Sequence, residues 1–264
     1  MQIKDMVVLI TGASEGIGAA CAREFERRGA RLSIVARHSE TLAAVGGPDT
    51  VRTAGDITDA ETRRSAVART IERFGRIDIL VNNAGMGFYS AAWKAPMEDV
   101  RRLFELNLLA PLALTQLVVP HMRERRRGAI VNVNSIAGKV TLPWLTLYSV
   151  SKFALGSLSD GLRMELKPFG IHAMNVCPMY VKTGFQEHAL GARPPDAIIK
   201  GRRFTITADQ CARAIARGVE RDARTVVVPR IGWIFVALNR LFPRVIESRL
   251  VAIGQNQAPH DPET

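Results

Sequence analysis

Seven short apolar runs recur along the chain, with helix-like stretches between most of them. The runs are MVVLI (6–10), RLSIVA (31–36), VRTAG (51–55), DILVNN (78–83), AIVNVNS (129–135), IHAMNVC (171–177) and TVVVP (225–229). The stretches 16–28, 59–74, 98–126, 148–168 and 207–220 repeat apolar residues every three to four positions, the period of a helix with one buried face. A strand with one wet face alternates polar and apolar residues; an unbroken Val/Ile/Leu run suits a strand covered on both faces. The pattern therefore predicts an α/β chain with a parallel sheet of about seven strands and helices on both sides. Crossovers between parallel strands are right-handed. The sheet is then doubly wound, and ligands collect at the carboxyl ends of its strands.

No repeat or Pro/Gly/Ser linker divides the 264 residues. One domain is expected over 1–230, followed by an amphipathic extension over 231–254 and a flexible tail over 255–264. The net charge of +11 would suit an anionic partner. Of the 36 basic residues 29 are arginines, however, and they are scattered. The densest group, RERRRG at 123–128, falls where a helix should end and cations complement its dipole. No nucleic-acid partner is expected. Cys21, Cys177 and Cys211 are far apart and sit in apolar or helical company, as reduced core residues do and disulfide or metal frames do not. With five consecutive apolar residues, MQIKDMVVLITG is too short for a secretory signal core. A cytoplasmic protein is expected, possible membrane association through the extension aside.

TGASEGIG (11–18) joins the first run to the first helical stretch. Gly12 permits a tight turn, and Gly16 and Gly18 let the backbone approach a pyrophosphate at a helix N-terminus. Ser14 and Ile17 lie in the same loop. At the end of the second strand, where a carboxylate would bind a ribose 2′-hydroxyl, the chain instead reads Ala36–Arg37. A guanidinium there can neutralise a 2′-phosphate, which favours NADP(H) over NAD(H). Glu15 argues the other way, placing negative charge inside the glycine loop. After the third strand, Asp56 and Ile57 of GDIT are placed to meet an adenine ring. After the fourth, Asn83, Ala84 and Gly85 are small or polar where a cofactor must pass.

Together with Asn107 in ELNLLAP, Ser135 in IVNVNSIAG, and Tyr148 and Lys152 in YSVSK, these segments resemble the classical short-chain dehydrogenase/reductase family from residue 6 to about 230. The resemblance implies a Rossmann-like fold and a tyrosine general acid/base, Tyr148. It also implies that Lys152 holds the nicotinamide ribose and lowers the tyrosine pKa, that Ser135 orients the carbonyl, and that Asn107 kinks its helix and positions a water. Pro178, Val181 and Thr183 match the segment flanking the nicotinamide, but Met179 stands where the family usually has glycine. The residues agree with these roles. Tyr148 and Lys152 are four apart, on one helix face, and an adjacent ammonium favours a phenolate. Ser149 and Ser151 read as bystanders.

Met86, Phe88, Tyr89, Leu142, Trp144 and Met179 are expected to wall an apolar substrate site, and 184–204 to form a mobile lid. A lipophilic ketone, aldehyde or secondary alcohol is the expected substrate, and a homodimer or homotetramer the expected assembly. The extension has no apolar run long enough to span a bilayer. Trp233 and Phe235 with Arg240, Arg244 and Arg249 would suit an interfacial helix, a subunit contact or a pocket cover. Alternatives are an NAD-dependent alcohol dehydrogenase of the same family, a lyase or isomerase using bound cofactor, a nucleotide-sensing regulator, or a peripheral membrane protein.

Overall fold

The computed structural model describes residues 1–191 and 205–255. Seven strands form one sheet: β1 (Val7–Thr11), β2 (Arg31–Ala36), β3 (Val51–Ala54), β4 (Ile79–Asn82), β5 (Gly128–Val133), β6 (Ile171–Pro178) and β7 (Thr225–Val228). Their order is β7-β6-β5-β4-β1-β2-β3, and every neighbouring pair is parallel. Val8 of β1 lies beside Leu32 of β2 and Ile79 of β4. The chain thus winds outward from one side of β1 and then returns to the other. The crevice at that reversal is where such sheets take ligands.

The helices are α1 (Gly16–Arg27), α2 (Ser39–Ala43), α3 (Ala60–Phe74), α4 (Met97–Phe104), α5 (Ala110–Glu124), α6 (Thr146–Leu166), α7 (Ala208–Glu220), α8 (Gly232–Leu241) and α9 (Pro243–Gln255). Successive strand residues face opposite sides, and both sides are dry. Val8 and Ile10 pack with Ala19, Ala20 and Phe25 of α1 and Ala212, Ile215 and Ala216 of α7. Leu9 packs with Ala66 of α3, Leu114 and Val118 of α5, and Leu162 of α6. Each large side chain buried this way contributes about 1.5–3 kcal/mol, so two-sided burial explains the unbroken apolar runs. Small residues facing each other on α1 and α7 bring those two helices close together.

The stretch 98–126 is not one helix. A π-helical turn, Glu105–Leu109, separates α4 from α5. The combined run Met97–Glu124 is long and apolar enough to cross a membrane, but Leu103, Leu114, Val118 and Met122 are buried in the cores. The arginine cluster at its end is spent internally. Arg125 pairs with the fully buried Asp78 at 2.6 Å, Arg126 donates to the Pro168 carbonyl, and the Arg123 guanidinium lies over the Phe169 ring. All three cysteines are free and buried.

Two short pairings escape the sequence pattern. Phe88–Tyr89 pairs with Leu190–Gly191, and Val181–Lys182 with Ile206–Thr207. They tie the segment after β6 to the body of the protein. The remainder of the expected lid, with Pro194–Pro195, and the expected tail from 256 onward lie outside the described residues.

Candidate active site

A cleft of about 1020 Å³ runs along the carboxyl ends of the strands, from the glycine loop to α6, at the upper end of the range for ligand sites. Its first wall is main chain. Gly12 and Gly16 have φ of +63° and +55°, left-handed values that glycine adopts at little cost. A Cβ at Gly12 would lie 2.9 Å from Ala84 Cα, and one at Gly18 only 2.1 Å from the Gly12 carbonyl oxygen. Asn83 fixes this approach: its amide donates to the carbonyls of Thr11 and Gly12 at 2.9 and 3.0 Å. Its side chain therefore holds the loop in place and is not left over to grip a ligand. The first turn of α1 has no side-chain cap and no acidic residue, so its amides remain available to an anion. Ser14 and Ile17 line the cleft beside them. This cradle fits a pyrophosphate.

Arg37 stands exposed at the end of β2, with Ala36, His38 and Thr41 along the same wall. It has no ion pair among the described residues. Glu15 lies 3.1 Å from His188 Nε2, on the segment after β6. Asp56 turns Oδ1 onto the amide and hydroxyl of Thr58, both at 2.8 Å. It shapes the loop that brings the buried Ile57 into the cleft. Pro178, Val181 and Thr183 line the opposite wall.

Ser135 follows the end of β5, and Tyr148 and Lys152 lie in the first two turns of α6; all three reach the cleft. Ser135 hydrogen-bonds the Tyr148 hydroxyl. The Lys152 amine lies 5.8 Å from the centre of the Tyr148 ring and donates to the Val133 carbonyl at 3.1 Å. Gly85 has no side chain to cover it: a Cβ there would sit 3.5 Å from Nζ. Burial pushes the Tyr148 phenol well above its ordinary range, against the opposing pull of the Ser135 hydrogen bond. Burial also lowers Lys152 to about 8. Burial is the largest cause of both shifts, since in a desolvated wall the charged form is the costly one.

Asn107 is fully buried within the π turn. Its amide accepts from Met86 N at 2.9 Å and donates to Met86 O and Ser151 Oγ at 3.0 and 3.1 Å. The side chain therefore ties the loop after β4 to α6. Ser151 is no bystander. It is fully buried, takes that bond, and donates to the Tyr148 carbonyl at 2.7 Å. Ser149 Oγ accepts from Leu142 N at 3.4 Å. Asn134 also went unread. Its amide donates to the Lys152 carbonyl at 2.8 Å and accepts from Ser135 N at 2.8 Å, joining two members of the site. Asparagines inside an otherwise apolar strand run, IVNVNS, were the available signal.

A fold of this strand order with this polar cluster invites comparison with known proteins. The family model for short chain dehydrogenases matches residues 6–192. The human dehydrogenase/reductase SDR family member 7 is 34% identical over 248 residues, covering 89% of this chain and 73% of the relative. The chain belongs to the short-chain dehydrogenase/reductase family. It is an NAD(P)-dependent oxidoreductase. A short-chain dehydrogenase from Sphingobium yanoikuyae in complex with NADPH matches with a TM-score of 0.76 at 30% identity, covering 92% of this chain and 95% of that one. A 3-ketoacyl-(acyl-carrier-protein) reductase from Brucella melitensis complexed with NADH matches with a TM-score of 0.79 at 26% identity, covering 86% and 97%.

The far end of this dehydrogenase's cleft is apolar. Met86, Leu142, Leu145, Met179 and Phe185 line it, and the Phe185 ring stands 6.0 Å from that of Tyr148. Trp144, expected in this wall, is not among its lining residues. Its backbone is left-handed at φ +62° and its ring pairs with Trp93 at 6.1 Å, so Leu145 forms the wall instead. Phe88 is likewise buried behind the wall. Met179 does line the cleft, but it also packs with Phe235 and Val236. Gly232 makes room for it, since a Cβ there would lie 3.2 Å from the Met179 sulfur. Gly232 also clears Val227, whose Cγ1 a Cβ would meet at 2.6 Å. Phe235 completes the wall, turned inward where an interfacial role had been one expectation.

Proposed function

We propose that this oxidoreductase uses NADP(H) and works near neutral pH as a reductase of a lipophilic ketone or aldehyde. The observation that carries this reading is the convergence of Ser135, Tyr148 and Lys152 between a phosphate-fitting glycine cradle and an apolar wall. The nicotinamide supplies the hydride when bound. Gly12, Gly16 and the first turn of α1 would hold the pyrophosphate, and Ile57 and Asp56 would flank the adenine. Arg37 would take the 2′-phosphate with its planar fork of donors. Ser135 holds the Tyr148 hydroxyl beside the place where a carbonyl oxygen gains charge, and can donate to that oxygen. Tyr148, kept protonated by burial, gives its proton to the same oxygen. The neutral phenol is the form that can donate, and the phenolate left by the transfer regains its proton from solvent before the next turnover. Lys152 stands between Tyr148 and the Val133 carbonyl, as a cation below about pH 8.

Tyr148→Phe removes the proton and leaves the ring. NADPH oxidation with an apolar ketone should fall by roughly 10²–10⁴-fold, while NADPH binding, followed by fluorescence titration, should stay close to wild type. Turnover of this variant at the wild-type rate would refute the assignment.

A further inference from the structure

α8 has two apolar sides, and the fold uses only one. Gly232, Phe235 and Val236 turn toward Val227, Met179 and Ile136. Positions 233, 234, 237, 238 and 241 fall on the other side of the helix and read Trp, Ile, Ala, Leu and Leu. Trp233, Ile234, Leu238 and Leu241 are 41–69% exposed, and the surface continues over Phe242 and Val245 beyond the helix end. A contiguous apolar surface of this kind marks a contact site. Its surroundings specify the contact. Arg230, Arg240, Arg244 and Arg249 are all exposed, and none has an ion pair among the described residues. Between 230 and 252 the only carboxylate is Glu247, so four arginines less one glutamate leave a local charge of +3.

A second copy of the chain would cover this face poorly. A two-fold contact sets the same patch against itself, so these arginines would oppose their counterparts with one carboxylate per chain to offset them. An anionic bilayer offers what both features need: phosphates for the arginines and an acyl layer for the apolar side chains. We propose that α8 and the start of α9 dock on an anionic lipid surface. Trp233, Ile234, Leu238, Leu241 and Phe242 enter the acyl boundary, and Arg240 and Arg244 contact lipid phosphates. Because Phe235 on the inner side lines the cleft, this one helix separates the substrate end of the cleft from the lipid. Delivery of an apolar carbonyl from the bilayer follows, a consequence that rests on the reductase reading; docking itself does not.

The test is flotation of the full chain with phosphatidylcholine vesicles, with and without phosphatidylserine. The chain should float with the anionic vesicles, release as salt rises, and show a blue-shifted tryptophan emission that Trp233→Phe removes. Arg240→Gln/Arg244→Gln should weaken binding about tenfold or more. Leu238→Ser/Leu241→Ser, which leaves charge unchanged, should do the same while reduction of a water-soluble ketone stays at the wild-type rate. Failure to float with anionic vesicles would overturn the proposal. So would wild-type binding by the leucine variant, the mark of a charge-only partner. A dimer that this variant dissociates, seen by sedimentation, would give the face to a second copy instead.

Discussion

The two ends of the cleft are built from different material. Around the glycine loop the wall is backbone: Gly12 pressed against Ala84 and Gly18 against Gly12, the turn held by one asparagine. At the other end the wall is side chains, Met86, Leu145, Met179, Phe185 and Phe235, drawn from five separate segments. A backbone wall has no slack and recognises an invariant group, the pyrophosphate. A side-chain wall can be resized residue by residue without disturbing the fold. One end is shaped for the cofactor, and the other is placed to meet the substrate.

The sharpest way to break this contrast is to add one or two carbons at each end. Gly18→Ala puts a Cβ 2.1 Å from a carbonyl oxygen that cannot retreat without opening the turn between β1 and α1. Cofactor binding should be lost, on the order of a hundredfold or more if the chain still folds, as measured by titration with NADPH. Alanine-to-valine exchange at Ala189, a residue packed against the Phe185 cluster, should leave NADPH affinity unchanged.

Arg37→Ala tests the cofactor end without touching the backbone. Loss of a charge-assisted hydrogen bond, about 1.5–3 kcal/mol, should raise the KM for NADPH roughly 10- to 100-fold and leave that for NADH nearly unaltered. Equal losses for both would remove the basis for a 2′-phosphate site.

Between the ends, Lys152 titrates near 8 because burial disfavours its charge. Its charged form exists below that value and is lost above it, while the Tyr148 phenol stays protonated across the same range. Ketone reduction should therefore decline as pH rises through about 8. In Lys152→Arg, whose guanidinium holds its proton far above this range, that limb should vanish from the kcat/KM profile. A limb at the same pH in this variant would assign the titration to another group.

The smallest effect belongs to the apolar end. Phe235→Ala should alter the KM for apolar ketones by a few-fold, about 1 kcal/mol for a partly exposed ring, with no change in NADPH affinity. An unchanged KM across ketones of several sizes would remove α8 from the substrate wall.

The sheet and the glycine loop were legible because each leaves a local mark: a β-strand buried on both faces must be apolar throughout, and a turn that tight must be glycine. Tyr148, Lys152 and Ser135 were legible as a constellation in spacing. What the linear pattern hid were facts of three-dimensional neighbourhood. Ser151 matters only because the π turn brings Asn107 against it. Trp144 leaves the wall because its own backbone turns left-handed. The direction of the Tyr148 shift depends on how dry the site is, which neighbours in sequence do not report. Phe235 and Trp233 lie two residues apart, yet one faces the cleft and the other faces outward.

The fit of Met179 against Gly232 makes the substrate loop and the C-terminal helix a matched pair. A side chain at 232 would collide with Val227, its Cβ 2.6 Å from Cγ1, and would crowd the methionine sulfur at 3.2 Å. Chimeras that exchange C-terminal segments between this chain and its relatives must therefore keep a glycine at 232 wherever Val227 and Met179 stay in place.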